Sequence, residues 1–170
     1  MLCFPQMATQ AQITAEQYLH MTFEYDAEFA HGHIAERSLP DLSHSRVQAA
    51  LAMRFGQVRK LHGCPGVRMK VAAETYRVAG VAVFCDPPRE DYPESPPFVR
   101  AEVTTKDDRY HDLMEKLEEY RLWGVAHIWV VDPLAKRFSL YTELGLQNVS
   151  SLALRDYAFE LTPADLFGDL

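Results

Sequence analysis

Residues 98–131 leave few folds open to this chain. A strand-like run at 98–104 leads into a stretch, 107–123, where Tyr110, Leu113, Leu117 and Tyr120 recur at helical spacing, with acidic residues early and Gly124 placed to end the helix. Residues 126–131 then form a nearly continuous apolar run, the pattern of a strand covered on both faces, so Ile128, Trp129, Val130 and Val131 are expected to be buried. A strand, helix, strand passage of this kind usually joins parallel neighbours by a crossover. The expected class is therefore α/β (α+β), a mixed β-sheet flanked by helices.

The remaining elements agree with that class. Thr14 and Gln17 have the spacing of a capping box, predicting a short helix that carries Tyr18 and Leu19. Residues 29–37, interrupted by Gly32, read as a first strand or hairpin arm. Ser43 is placed to cap a long helix bearing Val47, Ala50, Leu51, Phe55 and Val58, with its end near His62 and Gly63. Strands are predicted at 67–73, 76–84 and 98–104, the last two separated by a proline-rich loop over 87–97, and another at 138–142. Residues 152–170 carry only short strand or turn signals.

A chain of 170 residues has enough length for one core without covalent staples. Residues 13–170 are expected to form one domain behind a loose N-terminus at 1–12. No apolar run approaches the roughly 18 residues of a membrane span. Three cysteines, Cys3, Cys64 and Cys85, without a C-x-x-C pair argue against a disulfide framework and point to a reducing, cytoplasmic setting. Dinucleotide, Walker and nucleophile-elbow motifs are absent. The formal charge of -7 opposes nonspecific attraction to a polyanion unless a local basic face or bound cations offset it.

Three groups of residues carry candidate chemistry. Glu102 shares one face of its strand with Arg100 and Thr104. A carboxylate there is either neutralised by Arg100 on a partly exposed face or is a functional group, because an unpaired buried charge is costly. Lys116 lies four residues after Asp112 and four before Tyr120, which by itself suggests an ordinary helix-surface pair. His31, His33 and His44 invite a zinc reading, which requires all three rings around one ion.

Several segments, in order, resemble the Uma-type (Uma2-like, DUF820) restriction endonuclease family of the PD-(D/E)XK nuclease superfamily. Glu28-Phe29-Ala30-His31-Gly32-His33-Ile34 is similar to its early acidic strand, Ser43 through Gln48 to its His-bearing helix start, and Arg77 through Val83 to its Pro-Asp strand. Ala101-Glu102-Val103-Thr104, the helix from Asp112 through Lys116 to Tyr120, and Ile128-Trp129-Val130-Val131-Asp132-Pro133 resemble its later motifs, so the likeness spans roughly residues 14–167.

The resemblance implies a restriction-endonuclease-like fold acting on DNA with Mg2+ or Mn2+; a homodimer is expected separately, since cutting two strands is easier with two sites. Carboxylates hold the hard cation, which polarises the phosphodiester, and a lysine orients or activates water. Carried over residue by residue, Glu102 matches the metal-binding Glu, Lys116 the helix-borne Lys, and Glu28 an early acidic position that supports the site. The chain departs from the pattern where Gly80 stands in the place of the motif Asp, behind Ala79 instead of Pro, and where Thr104 fills a position that often carries Lys. Two outcomes follow from the departure: an impaired endonuclease, in which Gly80→Asp restores cation binding and cleavage, or a noncatalytic DNA-binding or protein-interaction module on the same fold.

Overall fold

A computed structural model describes residues 13–24, 26–37 and 39–168. The expected loose segment 1–12 lies outside the described residues. Helix α1 (Ala15–His20) starts with the predicted capping box of Thr14 and Gln17. Strands β1 (Ala27–Ala30) and β2 (His33–Glu36) then form a hairpin in which Ala30 pairs with His33. The two-residue turn between them is His31 and Gly32, at φ 54° and 79°. Positive φ at both central positions suits the twist of a tight hairpin.

Helix α2 (Leu42–Gly56) is capped by Asp41 and not by the expected Ser43: the Asp41 carboxylate accepts from the His44 N–H at 2.8 Å. The helix also ends earlier than expected, because His62 and Gly63 belong to strand β3 (His62–Pro65). This strand lies so close to the helix that a Cβ on Gly63 would come within 3.2 Å of Phe55 Cβ and 3.3 Å of the Ala52 carbonyl oxygen.

Strand β4 (Arg68–Ala72) follows, and the single strand expected over 76–84 is two strands in different sheets. Strand β5 (Thr75–Val78) joins β4, β1 and β2, in the order β2-β1-β5-β4. Strand β6 (Val81–Phe84) opens the second sheet. That sheet continues with β7 (Val99–Val103), β8 (His127–Asp132), β9 (Arg137–Thr142) and β10 (Gly145–Val149), in the order β10-β9-β8-β7-β6-β3.

Helix α3 (Tyr110–Trp123) is the crossover between β7 and β8, which pair in parallel as the sequence predicts. It stops at Gly124, whose φ of 101° lets its N–H reach back to the Tyr120 and Arg121 carbonyls. Tyr110 is exposed, outside the packed stripe expected to include it. A hairpin of β11 (Leu152–Leu154) and β12 (Phe159–Leu161) and a short helix α4 (Pro163–Phe167) complete the chain. A second capping box, Thr162 with Asp165, starts α4.

The six-stranded sheet is packed on both faces. Val99, Ala101, Val103, Trp129 and Val131 meet Val47, Leu51 and Phe55 of α2. Ile128 and Val130 meet Leu117 and Tyr120 of α3 on the other side. Strand side chains alternate between faces, so Arg100 and Glu102 project to the α3 side. That alternation, set by the apolar residues on either side of them, brings a charged pair under the helix that carries Lys116.

Candidate active site

A cleft of about 640 Å³ opens where β1, β7 and the start of α2 meet α3. Glu28, Arg37, His44, Arg77, Glu102 and Lys116 line its inner part, and Asp107, Asp108 and Asp112 stand around it. The three residues assigned to the site from the sequence, Glu28, Glu102 and Lys116, therefore reach one cavity.

Glu28 comes from β1 and is almost fully buried. One of its oxygens accepts the Val78 N–H at 3.1 Å, and the other meets Lys116 Nζ at 2.8 Å and Arg77 Nη1 at 3.1 Å. Lys116 thus pairs across the fold with Glu28, and not with Asp112 as its helical spacing alone suggested. Arg77 extends the set by gripping Glu119 with two parallel bonds of 2.8 and 2.7 Å. Such fork geometry makes the guanidinium a strong partner for a carboxylate. Local sequence says little of this role for Arg77. An arginine between Tyr76 and Val78 of an apolar strand was its only signal, since buried cations occur paired.

Glu102 is 7% exposed, and its neighbour Arg100 is 0% exposed. Arg100 Nε donates to Glu102 at 2.9 Å while Nη2 donates to the Tyr120 hydroxyl at 2.7 Å. Its guanidinium also lies over the Tyr120 ring, 4.1 Å from the centroid. The neutralising contact weighed from the sequence is present, but on a buried face instead of a partly exposed one. Burial pushes the Tyr120 phenol well above its ordinary range against the pull of Arg100, so it stays protonated and accepts from the arginine.

His44 is buried at the start of α2, and its Nδ1 has no hydrogen-bond partner. The zinc reading fails here. His31 sits on the hairpin turn and is exposed, and among the described residues its ring meets Glu115 and Glu119 within a 4.8 Å cluster that contains neither His33 nor His44. The turn at His31 and Gly32 breaks the regular alternation that a His-x-His ligand pair requires. Glu119, moreover, has both oxygens engaged by Arg77.

These groups give the protein a defined acid sensitivity. Burial, with Arg37 beside it, holds the His44 imidazole below its ordinary value of 6.5, against the opposing pull of Asp108. His127 is held low by burial as well. At Glu28 burial acts upward, yet Lys116 and Arg77 outweigh it and hold the carboxyl below its ordinary 4.5. All three shifts are depressions, so the unfolded chain binds protons first and stability is lost as pH falls through each folded value. The urea midpoint should be level between about pH 7 and 8, decline below about 6.5, and fall further below about 4. His44→Gln should reduce the first decline and leave the share that belongs to His127. A midpoint that rises on acidification from pH 7 to about 5 would contradict these assignments.

Compared with known families, residues 15–161 match the family model described as "Uma2: Putative restriction endonuclease". The chain belongs to the Uma2 family. Among solved structures it is similar to one titled as a "putative nuclease belonging to DUF820" from Anabaena variabilis ATCC 29413, with TM-score 0.82 and 19% sequence identity. The match covers 92% of this chain and 98% of that one, and at this identity it establishes the nuclease fold alone. No curated protein matches the chain. Among the described residues, no helix is long and apolar enough to cross a membrane.

Set beside the metal-binding pattern that the resemblance implies for Uma2 proteins, the donor set does not fit a divalent cation. Gly80 contributes no side-chain oxygen, and the backbone leaves no room for a side chain. A Cβ on Gly80 would fall 2.6 Å from the Ala101 carbonyl oxygen and 3.1 Å from the Val103 nitrogen, both in β7. The glycine is held in place by its own carbonyl, which accepts from Gln48 Nε2 at 2.7 Å and from the Gly66 N–H at 3.2 Å. Gly80 is thus the point where the chain crosses from one sheet to the other in close contact with β7, and not merely a motif position with its side chain removed.

Proposed function

We propose that this Uma2-family protein engages DNA through the cleft and that its phosphodiester-cleaving centre, of the divalent-metal-dependent endonuclease type, is impaired. One observation carries the reading. Glu102 and Lys116 reach the same cleft from β7 and α3, while the neighbouring position that would carry the second carboxylate is a glycine without space for a side chain. Survival of the cleft supports retained recognition, and loss of the ligand supports lost cleavage. Arg37 and Arg109, both on the cleft, are suited to meet backbone phosphates, and binding through such contacts weakens as salt rises.

The test combines fluorescence anisotropy on a short DNA duplex with nicking of supercoiled plasmid in Mg2+ or Mn2+. The protein is expected to bind the duplex in a salt-dependent manner and to nick at the background rate. Gly80→Asp is expected to lower stability by at least ~2 kcal/mol and to leave nicking at background, because the new side chain overpacks against β7 and buries another acid. This reverses the restoration expected from the sequence. Efficient metal-dependent nicking by the unmodified chain would refute the impairment. Absence of DNA binding would favour a protein-interaction role.

A further inference from the structure

The charges buried beneath the cleft cancel without any added ion. Four carboxylates, Glu28, Glu102, Glu119 and, at the solvent edge, Asp26, face four cations, Arg77, Arg100, Lys116 and Arg37, at 2.7 to 4.0 Å. Both oxygens of Glu119 and both of Glu28 have donors, and Glu102 is held by a guanidinium that has no access to solvent. A divalent cation prefers carboxylate oxygens as ligands. Added to a neutral buried cluster, it would leave two positive charges uncompensated in a poorly solvated place.

We propose that Lys116, backed by Arg77 and Arg100, takes the electrostatic place of the divalent cation, so that the cleft excludes Mg2+ and Mn2+ and receives a phosphodiester of DNA without metal. An ammonium group has three N–H donors. One of those on Lys116 is directed at Glu28, and its side chain remains 24% exposed at the cleft, leaving donors for a phosphate oxygen. With Gly80 in the place of one carboxylate, Arg100 neutralises Glu102 while Lys116 and Arg77 neutralise Glu28, which leaves no charge for a divalent cation to balance. The inference rests on the DNA reading above for its ligand, but its account of cation exclusion stands on the charge balance alone.

Mn2+ titration calorimetry at about 0.15 M salt suppresses weak binding to the exposed Asp107, Asp108 and Asp112. The unmodified chain should show no saturable one-to-one site tighter than about 1 mM, the weak end of oxygen-ligand cation sites. Lys116→Gln leaves the cluster with one net negative charge and should bind one Mn2+ at least ~10-fold more tightly, with a heat signal lost again when Glu102→Gln is added. DNA affinity of the unmodified chain should be the same within about 2-fold in EDTA and in Mg2+, and should weaken in Lys116→Gln. A one-to-one Mn2+ site in the unmodified chain that disappears in Glu102→Gln would overturn the proposal, as would a folded Lys116→Gln that binds Mn2+ no better. DNA binding seen only with Mg2+ would overturn cation replacement and leave the DNA reading intact. Cation exclusion without DNA binding in either buffer would do the reverse. The arm on the unmodified chain decides the matter even where Lys116→Gln fails to fold.

Discussion

Arg100→Met is expected to destabilise the protein by about 3–5 kcal/mol, the cost of leaving a buried charge without its partner. Arg100 is wholly buried and satisfies the Glu102 carboxylate and the Tyr120 hydroxyl at once. Its removal leaves an acid and a phenol oxygen without their donor, between the sheet and α3. The double variant Arg100→Met with Glu102→Leu should recover a large part of the loss, because two packed apolar groups replace a buried pair far better than one orphaned charge does. Urea denaturation of the two single variants and the double variant measures the coupling. If the double variant loses the sum of the two single losses, the pair does not act as a unit and the charge balance beneath the cleft loses its main support.

Trp129→Ala should cost a similar amount, about 3–5 kcal/mol. The indole is 1% exposed on β8, between β7 and β9, and is stacked near Phe55 of α2 at 5.6 Å and Phe159 of β12 at 6.1 Å. It therefore joins the sheet, the long helix and the C-terminal hairpin, and no neighbour can collapse into the space without moving another element. Thermal and urea unfolding of the variant should show the loss with an unchanged urea slope. A variant that melts with the parent would mean that β8 is not the centre of the packed sheet.

Much of the second half of the fold was legible from residue order. The apolar run at 126–131 and the stripe Leu113, Leu117, Tyr120 predict β8 and α3, and the crossover between them predicts the parallel pairing with β7. Glu102, Lys116 and Glu28 were nominated by resemblance and do meet at one cleft, whereas spacing alone suggested Asp112 as the partner of Lys116. The helix register is compatible with either contact, so only the position of β1 against α3 could choose Glu28.

The misread elements share a cause. Residues 76–84 form one strong strand pattern, yet Ala79 and Gly80 divide it between two sheets, because β7 approaches too closely for a side chain at position 80. His31 and His33 look like a ligand pair only while the turn between β1 and β2 is unknown. Local order was sufficient for α1, α2, α3, β7 and β8, for their apolar faces and for the family motifs, since these depend on neighbours two to four residues away. The charge partners came from the packing of distant elements: Arg77 with Glu119, Lys116 with Glu28, and the burial of Arg100 with Glu102. Those pairings depend on which elements lie side by side and on how much water is excluded between them, and neither quantity is set by local sequence.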